Sequence, residues 1–206
     1  FQKMLKNAAN ELKTMLTSYD AGKVLREGIT TVIVGKPNVG KSTLMNLLSG
    51  EERSIVTEVA GTTRDIVEET VALGDITLRL ADTAGIHETD DTVESIGVNL
   101  AEKRIDTAQL VLAVFDGTKS LDNNDKRILQ SVKGKNVIVI INKTDLESKI
   151  KASDFIGFKT VEISAKLGNG YPELCSAVAE ISGTAHLDPD SAVLLSERQR
   201  LCAYKA

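Results

Sequence analysis

Eight residues, Gly35-Lys36-Pro37-Asn38-Val39-Gly40-Lys41-Ser42, constrain this chain more than any others. They fit the P-loop pattern G-x-x-x-x-G-K-[ST] at every fixed position. A loop that wraps a triphosphate must turn its backbone N–H groups inward, and glycine permits both the turn and the close approach. In such a loop Lys41 brings a point charge to the β- and γ-phosphates and the Ser42 hydroxyl can ligate Mg²⁺. Asn38, Val39, Gly40 and Thr43 line the same bend. The flanks agree: Ile29-Thr30-Thr31-Val32-Ile33-Val34 reads as a buried strand, and the run from Ser42 opens a helix. That order aims the helix N-terminus at the phosphates. The competing reading is an accidental glycine-rich turn, and the correct flanks weigh against it.

The length of 206 residues suits one α/β domain with a little extra. With 42% hydrophobic and 26% charged residues, the composition is that of an ordinary globular protein. A net charge of −4 argues against a surface built mainly to neutralise nucleic-acid phosphates. RNA contact through a local patch or another domain stays open. Cys175 and Cys202 have no histidine nearby in sequence. They read as core or partly buried thiols in a reducing compartment rather than a metal site or disulfide, so the expected location is cytoplasmic. No apolar run has membrane-spanning length and no signal-peptide pattern opens the chain, so no membrane partner is expected. Phe1, rather than Met, starts the chain inside a helical pattern, as expected for a piece of a longer protein.

Residues 1–19 repeat apolar side chains at helical spacing (Leu5, Ala8, Ala9, Leu12, Met15, Leu16, Tyr19), and a break is expected from Gly22 to Gly28. Ala192 to Tyr204 is again helix-like. These flanking helices either pack on each other, as when one domain is inserted in another, or decorate the core. Between them strands and helices alternate. Arg53 to Thr63 is a polar, turn-rich loop; Ile66–Leu73 and Asp75–Ala81 read as a hairpin joined at Gly74-Asp75. A loop over Asp82–Asp91 and a helix over Val93–Asp106 follow. Strands are expected at Leu110–Asp116, Val137–Asn142 and Lys159–Ser164, with helices at Asp125–Val132 and Pro172–Ile181. Near-continuous apolar strands separated by helices imply an α/β fold, a mostly parallel mixed sheet covered on both faces.

Asn142-Lys143-Thr144-Asp145 follows a strand directly. A carboxylate there can accept two N–H bonds from guanine, whose edge presents N1–H and the N2 amino group. Adenine has no such pair, and a buried acceptor left unpaired makes the discrimination large. Asn142 and Lys143 would brace the loop, with the Lys stem over the base. Ser164-Ala165-Lys166, at another strand end, fits a second base-contacting loop. Asp82-Thr83-Ala84-Gly85 ends the strand expected beside that of the P-loop. Asp82 can hold Mg²⁺ through water, and the Gly85 N–H can meet a γ-phosphate whose loss moves the loop. Thr62 and Thr63 are candidates to cap the Mg²⁺ from the other side; alone, Gly61 to Asp65 is also a plain turn entering a strand.

These motifs, in this order, resemble the G-domain of the translation-factor-type GTPases, which implies a P-loop GTPase (Ras-like) fold, and more narrowly one family. The octet, Ile55 to Asp65, Asp82 to His87 and Glu94-Ser95-Ile96-Gly97 together look like the tRNA-modification GTPases called MnmE or TrmE. The resemblance covers roughly residues 28–184 closely. It implies a GTP-binding domain there, with residues 1–27 and 185–206 belonging to a split helical domain. It also implies a homodimerising GTPase that works with MnmG to modify the wobble uridine of certain tRNAs. The family's folate-binding domain and C-terminal Cys tail have no counterpart in the sequence. The Der and Era ribosome-assembly GTPases share the first and fourth motifs, and a GTP-switched interaction module with little turnover is a further alternative.

Ile86 stands where Ras-like enzymes use a glutamine to orient the attacking water, and an isoleucine cannot do so. The resemblance makes Glu94 the catalytic residue; read alone, it is more readily a helix N-terminal acid stabilised by the macrodipole. Arg64 is available as a transition-state cation, and strand entry explains it as well. The resemblance implies K⁺ instead, held by Asn38 and by the segment that carries Thr57, Val59 and Thr62. A desolvated monovalent cation between phosphates can do the work of a guanidinium. Asn38 is also simply a turn-favouring residue after Pro37.

Overall fold

The structure, a computed structural model, describes residues 19, 21–51, 69–80, 105–185, 202 and 204. Its sheet follows from the apolar runs. In strands β4 (Leu110–Asp116) and β5 (Val137–Asn142) every residue is buried. The side-chain period of two sends Leu112, Val114, Ile138 and Ile140 into one core and Val111, Ala113, Phe115, Val139 and Ile141 into another. Strands covered on both faces have no polar face to show, which is why their sequences do not alternate.

Strands β1 (Ile29–Val34), β2 (Glu69–Leu73), β3 (Ile76–Leu80) and β6 (Lys159–Ile163) complete a six-stranded sheet in the order β2-β3-β1-β4-β5-β6. All neighbours pair in parallel except β2, which runs antiparallel to β3 at the edge. The hairpin turns at Gly74-Asp75, where Gly74 takes φ +58. Helices α1 (Lys41–Glu51) and α3 (Tyr171–Ile181) cover one face through Leu44, Leu48, Leu174 and Val178. Helix α2 (Asn123–Ser131) covers the other through Ile128 and Leu129, beside the rings of Phe115 and Phe155, which meet tilted at 49°. This is the expected mixed, mostly parallel sheet with helices on both sides.

Several boundaries differ from expectation: β3 starts at Ile76 rather than Asp75, α3 at Tyr171 rather than Pro172, and α2 ends at Ser131 rather than Val132. Residues 21–27 are helical, where the sequence suggested a break from Gly22. The helix stops at Gly28, whose φ of +75 suits a C-terminal glycine. Packing is the cause: Tyr19 and Ala21 are buried and Val24 lies against the first core, which offsets a cost of about 1 kcal/mol for a glycine inside a helix. Helix α2 begins at Asn123 rather than Asp125, because the Asp122 side chain accepts the N–H groups of Asn124 and Asp125. Strand β6 ends at Ile163, and Ser164 makes a single bridge to Asn169 instead.

The loops expected over 53–63 and 82–91 lie outside the described residues. So do most of the helices expected over 1–19, 93–106 and 192–204. Among the described residues, no helix is long and apolar enough to cross a membrane. Gly35, Asp116, Asn142 and Ser164 all stand at or just past the carboxyl ends of parallel strands, on the rim where open α/β sheets bind ligands.

Candidate functional site

The loop from β1 to α1 is shaped by its backbone. Gly35, Asn38 and Gly40 have φ of +154, +62 and +100. A Cβ on Gly35 would lie 2.5 Å from the carbonyl oxygen of Val114, and one on Gly40 would strike the side-chain amide of Asn142. Both glycines are therefore required by packing against β4 and β5, beyond any approach to a phosphate. Val39 is buried in the first core and pins the middle of the loop. Lys41 donates to the carbonyls of Gly35 (3.0 Å) and Lys36 (2.8 Å), so its ammonium sits within the curve of the loop. Ser42 and Thr43 are exposed in the first turn of α1, which has no acidic side chain to offset its positive end. The left-handed backbone of Asn38 agrees with the turn reading of that residue.

The Asn142 side chain is the hinge pin of the site. It is buried, donates to the carbonyl of Val39 (2.9 Å) and accepts from the N–H of Ala165 (3.0 Å). One amide thus ties the phosphate loop to the loop after β6. Lys143, at φ +67, donates to the Asn38 carbonyl (2.8 Å) and the Asp116 carboxylate (2.7 Å). Asp145 is exposed and accepts the hydroxyl of buried Ser164 (2.6 Å). That hydroxyl is the main reason the Asp145 carboxyl lies below its usual range, with the charges of Lys166 and Lys143 adding. Ala165 is buried and Lys166 exposed.

Three acids of this neighbourhood escaped the sequence reading. Asp116 ends β4, buried, and accepts both the N–H and the hydroxyl of Thr118 besides Lys143. Burial raises its carboxyl, but the bonds from Lys143 and Thr118 outweigh that and hold it low. A lone acid closing an apolar strand was its signal. Asp122 and Asp125 form the capping box of α2 and both bind the Lys36 ammonium, at 2.7 and 2.8 Å. Lys36's bond and the cap N–H groups depress Asp122 to about 2. Burial opposes the Lys36 charge, yet the two carboxylates raise its affinity for the proton. The acid-x-x-acid spacing before an apolar run was the available signal.

The structure thus brings Asn38, Val39, Gly40, Lys41, Ser42 and Thr43 to one rim with Asn142, Lys143, Asp145, Ser164, Ala165 and Lys166. Thr57, Val59, Thr62, Thr63, Arg64, Asp82, Thr83, Ala84, Gly85, Ile86 and Glu94 lie outside the described residues.

A family model described as 50S ribosome-binding GTPase matches residues 30–143. The tRNA modification GTPase MnmE of Natranaerobius thermophilus is 45% identical over 179 residues, which is 85% of this chain and 39% of the relative. The tRNA modification GTPase MnmE of Geobacter metallireducens is 44% identical over 205 residues, 98% of this chain and 45% of the relative. A crystal structure of an Aquifex aeolicus Era variant bound to GDP·AlF4⁻ is similar with a TM-score of 0.52 and 33% identity, covering 82% of this chain and 60% of that one. The chain spans less than half the length of those two curated relatives. It belongs to the family of P-loop GTPases that the matching model describes, and it resembles MnmE over the segment it shares with those relatives.

Proposed function

We propose that this chain binds and hydrolyses GTP, and that its turnover drives the modification of a tRNA wobble uridine with a carboxymethylaminomethyl group at C5. The observation that carries the nucleotide half is the Asn142 brace, which holds a phosphate-shaped loop and a base-shaped loop at one fixed spacing. The names of the curated relatives support the tRNA half. Residues 28–184 are the G-domain in this reading, and 1–27 and 185–206 belong to a helical domain. The larger protein works in the cytoplasm as a homodimer through its G-domains, with MnmG as partner.

Asp145 accepts N1–H and the N2 amino group of guanine, while Ser164 fixes one of its oxygens. The Lys143 stem lies along the base, and Ala165 and Lys166 close its other side. Ser42, at the positive end of α1, is the described residue that would hold Mg²⁺, with Asp82 and Thr63 completing the set. The metal supplies charge neutralisation between phosphate oxygens. Thr83, Ala84 and Gly85 belong to the nucleotide-binding set, with the Gly85 N–H assigned to the γ-phosphate, and Glu94 is assigned to orient the attacking water in place of the glutamine that Ile86 excludes. Asn38, Thr57, Val59 and Thr62 would hold K⁺, which supplies the positive charge of an arginine finger.

Competition binding tests the base assignment. Asp145→Asn is expected to weaken GTP binding and improve binding of xanthosine triphosphate, because the amide donates where the carboxylate accepted. An unchanged preference for GTP removes the assignment. Single-turnover hydrolysis in potassium against sodium tests the cation: the parent is expected to be faster in potassium, and Asn38→Ala to lose most of that preference. Equal rates for the parent discard it. The likeness to Era and the description of the family model favour a second reading, ribosome assembly in the manner of Der and Era. Co-sedimentation of the longer protein with ribosomal subunits, and not with MnmG, would select it.

A further inference from the structure

Lys36 occupies a variable position of the P-loop pattern, so the motif assigns it no role. Its surroundings are nonetheless specific. The side chain is only 21% exposed and its ammonium reaches both acids of the α2 capping box, Asp122 Oδ2 at 2.7 Å and Asp125 Oδ2 at 2.8 Å. Asp125 is buried, and the same oxygen also accepts the backbone N–H of Asp122. A capping box asks only that last bond of the Asp125 side chain. A buried carboxylate needs a cation as well, and Lys36 is the one beside it. The backbone carbonyl of Lys36 in turn accepts the Lys41 ammonium, next to the carbonyl of Gly35. The α2 cap therefore holds Lys36 in place, and Lys36 presents one of the carbonyls on which Lys41 rests.

We infer that Lys36 is a positioning residue, through which the α2 capping box sets the seat of Lys41 and thereby the retention of nucleoside di- and triphosphates. The inference rests on the nucleotide reading of the P-loop given above. Lys36 itself touches no phosphate in this account; its work is to keep the loop curved and the Lys41 ammonium preplaced.

The test is the dissociation rate of a fluorescent N-methylanthraniloyl GDP from the 206-residue chain in buffer with Mg²⁺. Lys36→Met keeps the stem and removes the charge together with both carboxylate contacts, and is expected to speed dissociation about tenfold. Lys36→Arg restores a donor to both acids and is expected to stay within about threefold of the parent. Asp125→Asn keeps an oxygen that can accept the Asp122 N–H but removes the buried negative charge that Lys36 meets, and is expected to move dissociation in the same direction as Lys36→Met. The double variant Lys36→Met/Asp125→Asn is expected to be no faster than the faster single one, since Lys36→Met already removes the contact that Asp125→Asn weakens. A general loosening of the fold would not be rescued by arginine and would add across the pair. Parent-like dissociation for Lys36→Met, or additivity in the cycle, overturns the inference. Should Lys36→Met fail to fold, parent-like retention by Asp125→Asn overturns it and loss there, with Lys36→Arg normal, supports it. A parent chain that retains no GDP at all overturns the nucleotide reading first, and that outcome is visible before any variant is made.

Discussion

At its phosphate end the site is made of backbone. Gly35 and Gly40 hold the loop at φ values closed to other residues, and the Lys41 ammonium rests on two carbonyls. At its base end the site is made of side chains: Asn142 on Val39 and Ala165, Lys143 on Asp116, Ser164 on Asp145. The two ends therefore fail in opposite ways. An added atom damages the first, because there is no room for one. A removed atom damages the second, above all at Asn142, whose amide satisfies the Val39 carbonyl and the N–H of buried Ala165. Such a division suits a site whose one end meets charge common to all nucleotides while its other end reads which base is attached.

The largest effect is expected from Asn142→Ala, which removes an atom set shared by both ends. It strands the Val39 carbonyl and the Ala165 N–H together, at about 1–3 kcal/mol for each buried group left unpaired, or about 2–6 kcal/mol in all. Urea unfolding gives the loss, and hydrogen exchange at the Ala165 amide gives its place. Faster exchange there, with the phosphate loop also loosened, is the signature of a shared brace. Protection equal to the parent's would break the comparison, since the base end would then hold itself. Gly35→Ala comes next, the added-atom counterpart. Its Cβ meets the backbone of Val114, and a strained non-glycine residue costs about 1–3 kcal/mol. The same unfolding measurement reads it. A stability within error of the parent would mean that the loop can open without loss, contrary to a rigid backbone cradle.

Much of this fold was legible in the chain because its causes are local. The runs Leu110–Asp116 and Val137–Asn142 announce strands buried on both faces, and Gly74-Asp75 marks a hairpin without help from elsewhere. The octet and Asn142 were legible for the same reason, since their spacing is a backbone requirement written in consecutive residues. What escaped is tertiary. Asp116 matters through Lys143, 27 residues away, and Asp122 and Asp125 matter through Lys36, 86 and 89 residues away. Nothing near any of these acids in sequence names the lysine that meets it. The helix over 21–27 escaped likewise, since Gly22 weakens it locally and burial of Tyr19 and Ala21 sustains it.

The smallest expected effect separates the two ends by acid. Asp122 joins the phosphate loop to α2, and its carboxyl is depressed from 3.8 to about 2 in the folded chain. A depressed acid contributes stability that is complete above its unfolded value and is lost as pH falls through the folded one. The window for Asp122 therefore runs from about pH 4 down to about pH 2. The base-end acids Asp116 and Asp145 are lowered too and add to the same limb. Asp122→Asn isolates the phosphate-end share. An asparagine oxygen can still accept the N–H groups of Asn124 and Asp125, so the cap survives while the attraction for Lys36 loses one partner. The variant is expected to lose stability less steeply than the parent between pH 4 and pH 2 and to be matched to it below that range. The difference is small because the Asp122 side chain is 55% exposed and water screens the pair, and added salt is expected to shrink it further. Guanidine is itself a salt, so urea unfolding at stepped pH is the measurement. Identical acid limbs for parent and variant at low salt would mean that the cap and the phosphate loop are not held together by this charge, leaving Asp125 as their sole tie.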